Sequence, residues 1–257
     1  MPQVSRFAII EPSAELGGDV VVGPFSYVGA NVTLGNGCVI GNNVTLTGKT
    51  ILGERCHVFP LAVIGVSQNQ QGNEGTVEIG EANTIREHVT IYGGSDGPTR
   101  VGNHNLIMIA SQVGPGAMIG DHGIFDNCCY IYENAIVDDY VRMSGQSTVQ
   151  PGTHVGAYSF VTGYAVVDHD APPYAMMQGN PARVRGVNRR NLKACGFGEQ
   201  DISLIKSAFR ELFNRNVDHV NEDALDRLAS QESNPYVQNL VACVRASLAK
   251  RQEPGDV

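Results

Sequence analysis

A strict six-residue period dominates the chain and limits what it can fold into. Aliphatic residues stand at Ile10, Leu16, Val22, Val28, Leu34, Ile40, Leu46, Leu52, Val58 and Ile64. The phase resumes at Ile79, Ile85 and Ile91. It resumes again at Val101 and continues through Ile107, Val113, Ile119, Phe125, Ile131, Val137, Met143, Val149, Val155 and Val161 to Val167, giving 25 hexads in one register. Glycine commonly follows the apolar residue, as at Gly17, Gly23, Gly35, Gly41 and Gly53. Four places after the apolar residue come small or β-branched side chains, among them Ala14, Ser26, Cys38, Thr50, Cys56 and Ala62.

A period of this kind marks a solenoid. Each hexad supplies one short strand and one turn, and three hexads close a triangular coil. Residues 18 apart therefore stack at the ordinary strand spacing of about 4.8 Å. The apolar residue fills the interior, and the small one fits where a corner narrows. Turns between strands are expected to use glycine and asparagine, which tolerate positive φ. The fold class is mainly β, a left-handed parallel β-helix of hexapeptide repeats with about eight coils and a quasi-one-dimensional core. An antiparallel sandwich alternates with period two and does not hold a period of six.

Two polar, glycine-rich stretches, 66–78 and 92–100, interrupt the register and are expected as ejected loops, where sites tend to be built. After Val167 the pattern stops at Asp168-His169-Asp170-Ala171-Pro172-Pro173-Tyr174, since proline cannot continue a ladder. From about Asn188 the period becomes helical. Ile202, Ile205, Phe209, Leu212 and Phe213 form one stripe. Leu225 and Leu228 open another. Asn234-Pro235 reads as a cap and first-turn proline before Val237, Leu240, Val241, Val244 and Leu248. The domains predicted are a β-helix over 1–185 and a helical C-terminal domain over 186–257.

The net charge is −8, which argues against nucleic acid as a partner. The charge is uneven: residues 1–182 hold six basic side chains against 16 acidic ones. Beyond them Arg183, Arg185, Arg189, Arg190 and Lys193 cluster with no acid between, a local patch suited to an anion. No apolar run is long enough to span a bilayer, and the first residues lack the pattern of a secretory signal, so a cytoplasmic location is expected. The six cysteines form no CxxC pair and lack the density of a disulfide framework. Cys38, Cys56 and Cys129 fall on small inward positions and read as core thiols. No metal or cofactor is expected.

The order of parts resembles the bacterial acyl-carrier-protein-dependent UDP-N-acetylglucosamine O-acyltransferases of lipid A synthesis. The likeness is carried by Val77-Glu78-Ile79-Gly80, by Ile85-Arg86-Glu87-His88-Val89-Thr90-Ile91, and by Ala171-Pro172-Pro173-Tyr174 through Gln178-Gly179-Asn180. Gly186-Val187-Asn188 and Leu192-Lys193 with Gly196-Phe197 extend it. The resemblance implies a homotrimer with active sites in clefts between subunits. There a histidine takes a proton from a sugar hydroxyl, which attacks the thioester of an acyl-carrier protein. It also implies that Asn69, Gln70, Gln178, Asn180, Arg183 and Asn188 contact a UDP-sugar-like acceptor. Arg185, Arg189, Arg190 and Lys193 would contact phosphate or the acidic carrier.

The chain departs from the family pattern where the chemistry lies. Pro115 occupies the place of the catalytic histidine, Gln112 that of a second histidine and Gly116 that of an aspartate. Asn134 and Tyr92 stand at two further histidine places, and Gln150-Pro151 replaces a His-Gln pair. Arg190 stands for a glutamate, and Ala194-Cys195 for two arginines. The 18-residue period places Glu133 one coil beyond Pro115, about 5 Å along the axis, as the candidate replacement base. The alternative is a trimeric binding protein that keeps the scaffold and its ligand or carrier affinity without catalysis. His104, His122, Tyr140 and Tyr158 are also 18 apart and are expected to form a ladder buried at the trimer contact. His57, His88, His154 and His169 have no partner by spacing.

Overall fold

The computed structural model describes residues 1–67, 75–213 and 220–252. Its body is a left-handed parallel β-helix of about nine turns. Among the described residues 26 hexad strands run from Gln3–Val4 to Val166–Val167, one more than the sequence register, because Val4, although exposed, stands in phase a hexad before Ile10 and pairs with Val22. Three parallel sheets result. Two are of 9 and 8 hexad strands; the third, of 11, adds two strands after the repeats end. Stacked partners are 18 apart where no loop intervenes, as in Gln112↔Tyr130 and Val113↔Ile131. The offset widens where a loop is ejected, as in Val63↔Thr90 and Val77↔Thr99.

The inward residues make one continuous core. Ile64, Ile85, Ile91, Val149, Val155 and Val161 are fully buried, and so are Cys38 and Cys56 at the narrow places. Burial of such columns of aliphatic side chains, at roughly 1.5–3 kcal/mol each, drives coil to stack on coil.

The glycines that directly follow the inward residue, such as Gly23, serve the approach of neighbouring coils. A Cβ on Gly23 would lie 2.6 Å from the carbonyl oxygen of Gly41 on the next coil, so the position is kept bare for the approach of neighbouring coils. The left-handed corners fall three places after the inward residue, on Gly37, Gly116, Gly152, Asn43 and Asn134 as expected, and also on His104, His122, Tyr140 and Tyr158, with φ of 57°, 59°, 56° and 60°. Close stacking of successive coils offsets the cost of that conformation, about 1–2 kcal/mol per residue.

The ejected loops are shorter than 66–78 and 92–100. Strands Val63–Ser67 and Thr76–Ile79 enter the first, and Thr90–Gly93 and Thr99–Val101 enter the second. The bases of the two loops are pinned together by an antiparallel bridge between Thr76 and Gly94.

Past the helix the Ala175–Gln178 strand extends one sheet, and Arg183–Val187 folds back on it antiparallel. Four helices follow: α1 Arg189–Ala194, α2 Glu199–Leu212, α3 Glu222–Gln231 and α4 Pro235–Gln252. Asn234 caps α4 as expected, its Oδ1 accepting from the backbone N–H groups of Tyr236 and Val237 at 3.0 and 3.3 Å. Ile202, Ile205, Leu212 and Leu240 are buried. No described helix is long and apolar enough to cross a membrane.

Candidate functional site

The site grows from one corner of the β-helix. Strand Gln112–Val113 ends at Gly114, whose missing side chain lets the next coil in: a Cβ there would sit 2.6 Å from the Glu133 nitrogen. Pro115 and Glu133 are thus stacked on successive coils, as the period predicts. The backbone N–H of Asn134 donates to the Pro115 carbonyl at 3.0 Å. Thr99 ties loop 94–98 to this corner. Its hydroxyl donates to the Tyr92 carbonyl at 2.6 Å and accepts from the Gly116 N–H at 3.0 Å.

Loop and corner together enclose a pocket of about 370 Å³ lined by residues including Asp96, Arg100, Pro115, Gly116, Glu133 and Asn134. The Arg100 guanidinium is engaged by Glu78 at 2.9 Å. This leaves Asp96 and the exposed Glu133 as the carboxylates of the lining. None of the described histidines lines it. Beside the pocket, Gln112 Nε2 donates to the Tyr92 hydroxyl at 3.0 Å. The two residues that stand at histidine places of the family pattern are bonded to each other.

The remaining predicted residues lie elsewhere on the chain. Asn69 and Gln70 lie outside the described residues. Gln178 and Asn180 are exposed at the tip of the antiparallel hairpin, and Arg185, Arg189 and Arg190 are exposed along its second strand and α1. Lys193, also exposed, is paired with Glu199. That pairing, with Arg189 nearby, holds the Glu199 carboxyl below its usual range. Asn188 is buried and structural: it caps α1 by accepting from the Asn191 N–H at 3.4 Å and donates to the Tyr158 carbonyl at 2.9 Å. Arg183 contacts Asp168 at 3.5 Å and lines a second cavity of about 730 Å³, between the end of the β-helix and α4. None of the described residues among them lines the Pro115 pocket within one chain.

The aromatic ladder is present. Ring centroids are 5.0 Å apart for His104–His122, 4.7 Å for His122–Tyr140 and 4.9 Å for Tyr140–Tyr158. Tyr174 extends it at 6.0 Å. Its upper end is covered by the chain's own helical domain. Phe197 meets Tyr158 edge-on at 4.9 Å, and Asn191 Nδ2 donates to the Tyr140 carbonyl at 2.8 Å.

Two histidines without partners by spacing have them in space. His154 Nε2 lies 2.9 Å from Asp138 Oδ2, and His169 Nδ1 lies 2.6 Å from Asp168 Oδ1. Asp138 is two residues past the stacked partner of His154, Ile136. Diagonal same-face neighbours of this kind are readable once register is known. The Asp138 carboxylate raises the His154 pKa against the opposing effect of burial.

Comparison with known proteins agrees with this architecture. The family profile described as bacterial transferase hexapeptide (six repeats) matches residues 7–48, and that of UDP N-acetylglucosamine O-acyltransferase, domain 2, matches residues 170–252. The fold and its repeat define a hexapeptide-repeat transferase scaffold. Acyl-[acyl-carrier-protein]–UDP-N-acetylglucosamine O-acyltransferase of Ectopseudomonas mendocina is 40% identical over 235 residues, covering 89% of this chain and 90% of that one. The enzyme of the same name from Aliarcobacter butzleri is 39% identical, with 95% of both chains covered. The crystal structure of UDP-N-acetylglucosamine O-acyltransferase from Moraxella catarrhalis superposes with a TM-score of 0.89 at 29% identity, covering 95% of this chain and 97% of that one. The Arabidopsis UDP-N-acetylglucosamine acyltransferase gives 0.85, also at 29%, covering 96% and 97%. The chain belongs to the acyl-[acyl-carrier-protein]–UDP-N-acetylglucosamine O-acyltransferase family.

Proposed function

We propose that the protein transfers an acyl group from an acyl-carrier-protein thioester to a UDP-N-acetylglucosamine-like acceptor. The observation that carries this reading is the pocket at Pro115, Gly116, Glu133 and Asn134, at the corner where the family resemblance implies the catalytic histidine. The pocket and the basic hairpin–α1 surface do not meet within one chain. A homotrimer, in which the pocket of one subunit faces the Gln178, Asn180, Arg185, Arg189 and Arg190 surface of another, would complete the site. Asn69 and Gln70 remain proposed acceptor contacts, and Arg183 and Lys193 proposed contacts for acceptor phosphate or carrier. Asn188 acts by capping α1 and so placing Arg189 and Arg190.

In this reading Glu133 accepts the proton released on acyl transfer. Its position one coil from Pro115 and its exposure to the pocket support the assignment. Proline at position 115, where the family resemblance implies a catalytic histidine, favours a second reading, a trimeric binding protein without catalysis. A thioester-consumption assay with acyl-carrier-protein thioesters and a UDP-sugar acceptor separates the two. Turnover supports the first, and saturable binding without turnover supports the second. Sedimentation tests the trimer.

A further inference from the structure

The cavity of about 730 Å³ between the end of the β-helix and α4 lies apart from the Pro115 pocket. Among the described residues the two share no lining side chain. The volume falls within the range of about 300–1,000 Å³ typical of small-molecule sites. One wall is the end of an outward column of the β-helix, where Ile136 and His154 stack on successive coils. The other is α4, which the cavity follows from Ala242 to Lys250. At 1.5 Å per residue that stretch is about 12 Å long, so the space is an elongated slot.

The lining has two characters. Ile136, Val184, Phe213, Val220, Val244 and Leu248 make it apolar along much of its length, and each is buried or half-buried. Arg183 and Lys250 bring two cations, beside Asp168 and Asp170. The carboxylates are closely engaged. Asp168 Oδ1 lies 2.6 Å from His169 Nδ1, and Asp170 Oδ1 accepts from the His154 backbone N–H at 2.9 Å. The Lys250 ammonium instead donates to a neutral group, the Gly152 carbonyl, at 2.7 Å. Asp170 stands 3.5 Å from it, beyond the distance of about 2.7–2.9 Å of a charge-assisted bond. An ammonium has three N–H donors, so the lysine keeps donors for an incoming anion. Lys250 is exposed, and this end of the slot opens to solvent.

We propose that the slot binds an aliphatic carboxylate, with its head group at Lys250 and Arg183 and its chain along α4 against the apolar wall. Such a ligand satisfies both parts of the lining. A neutral chain would forgo the charge-assisted bond to Lys250. A small inorganic anion would leave the apolar wall facing water. No bond is made or broken at the site, and its occupancy does not depend on acyl transfer at the Pro115 corner. Arg183, offered above to phosphate or carrier, serves the head group here.

Calorimetric titration of the full chain with dodecanoate, kept below its micellar concentration, tests the site. Dodecanol and dodecylammonium carry the same chain on a neutral and a cationic head. Dodecanoate should bind saturably, one per subunit, at least about tenfold tighter than either control, and should raise Tm. Lys250→Gln, at an exposed position, should weaken it about tenfold, and Lys250→Arg should keep it. Ala246→Phe, which fills the slot from α4, should abolish binding while circular dichroism stays unchanged. Equal affinity for the alcohol or the ammonium overturns the carboxylate assignment. Absence of saturable binding overturns the site, and so does binding that Lys250→Gln and Ala246→Phe both leave intact. Displacement of dodecanoate by UDP-N-acetylglucosamine would place it in the Pro115 pocket and overturn the site as well. Each of these outcomes is read without turnover, so acyl transfer stands or falls separately.

Discussion

Tyr92 and Gln112 sit on successive coils, and the Gln112 amide donates to the Tyr92 hydroxyl at 3.0 Å. Both stand where the family resemblance implies histidine, so the two replacements make one new contact between them. A half-buried neutral hydrogen bond contributes about 1 kcal/mol net. Tyr92→Phe and Gln112→Ala should each lower stability by about that amount. The double variant should lose less than the sum, as a double-mutant cycle in denaturant would show. Strict additivity would mean that the bond carries no coupling.

Pro115→His places an imidazole at the corner where Glu133 is the proposed base. If the acceptor hydroxyl is positioned there, ester formation with UDP-N-acetylglucosamine should rise on the order of 10²-fold. The pH–rate profile should gain a limb near about 6.5. An unchanged rate would show that the acceptor does not sit against this corner.

Gly94 holds the loop over the pocket. A Cβ there would lie 2.0 Å from the Gly97 carbonyl oxygen and 3.0 Å from the Gly116 nitrogen. Gly94→Ala should push loop 94–98 away from Pro115 and Glu133 and lower kcat/KM by tenfold or more, of the order that misplacement at a site costs. The core is untouched, so Tm should change little. A full-rate Gly94→Ala enzyme would exclude the loop from the site.

His154 links the β-helix to its surroundings through pH. It faces Asp138 at 2.9 Å on the neighbouring coil. Asp170 and Lys250 from the adjoining elements also act on it, and its pKa lies above 6.5. A raised folded-state pKa stabilises the fold fully below the unfolded value of about 6.5 and ceases to do so as pH rises through the folded value. Tm should therefore fall over that window in the native protein, and Asp138→Asn should flatten the slope. Parallel Tm–pH curves for the two proteins would refute the pairing.

Phe125 is the aromatic member of the inward column, 1% exposed, between Ile107 and Met143 on the coils either side. Phe125→Ala should cost about 3–5 kcal/mol, seen as a lower denaturant midpoint. A loss below about 1 kcal/mol would mean that the coil collapses around the deletion.

The hexad made the β-helix legible because each repeat is a local unit whose stacking partner lies a fixed 18 residues away. Ile64, Val113, Ile131 and Val155 are buried as their phase requires. The same arithmetic placed Glu133 against Pro115 and built the ladder from His104 to Tyr158. It failed where contacts do not follow the period. His154 meets Asp138 on a diagonal, two residues past its stacked partner Ile136. The expected turn residues hold left-handed corners at Gly37, Gly116, Gly152, Asn43 and Asn134, but the period alone gave no sign that His104, His122, Tyr140 and Tyr158 take the same conformation.

The sequence by itself determined the solenoid, its register, the two interruptions and the helical tail. Each of these is written in local pattern, and the hydrophobic effect acts on it coil by coil. Only the tertiary structure decided which residues the loops enclose, that Tyr92 bonds Gln112, that Arg183 turns to Asp168, and that the basic hairpin surface lies apart from the Pro115 pocket in a single chain. Those relationships depend on where ejected loops and the C-terminal helices come to rest. No period governs their placement, which is set by side-chain packing and hydrogen bonding between segments far apart in the chain.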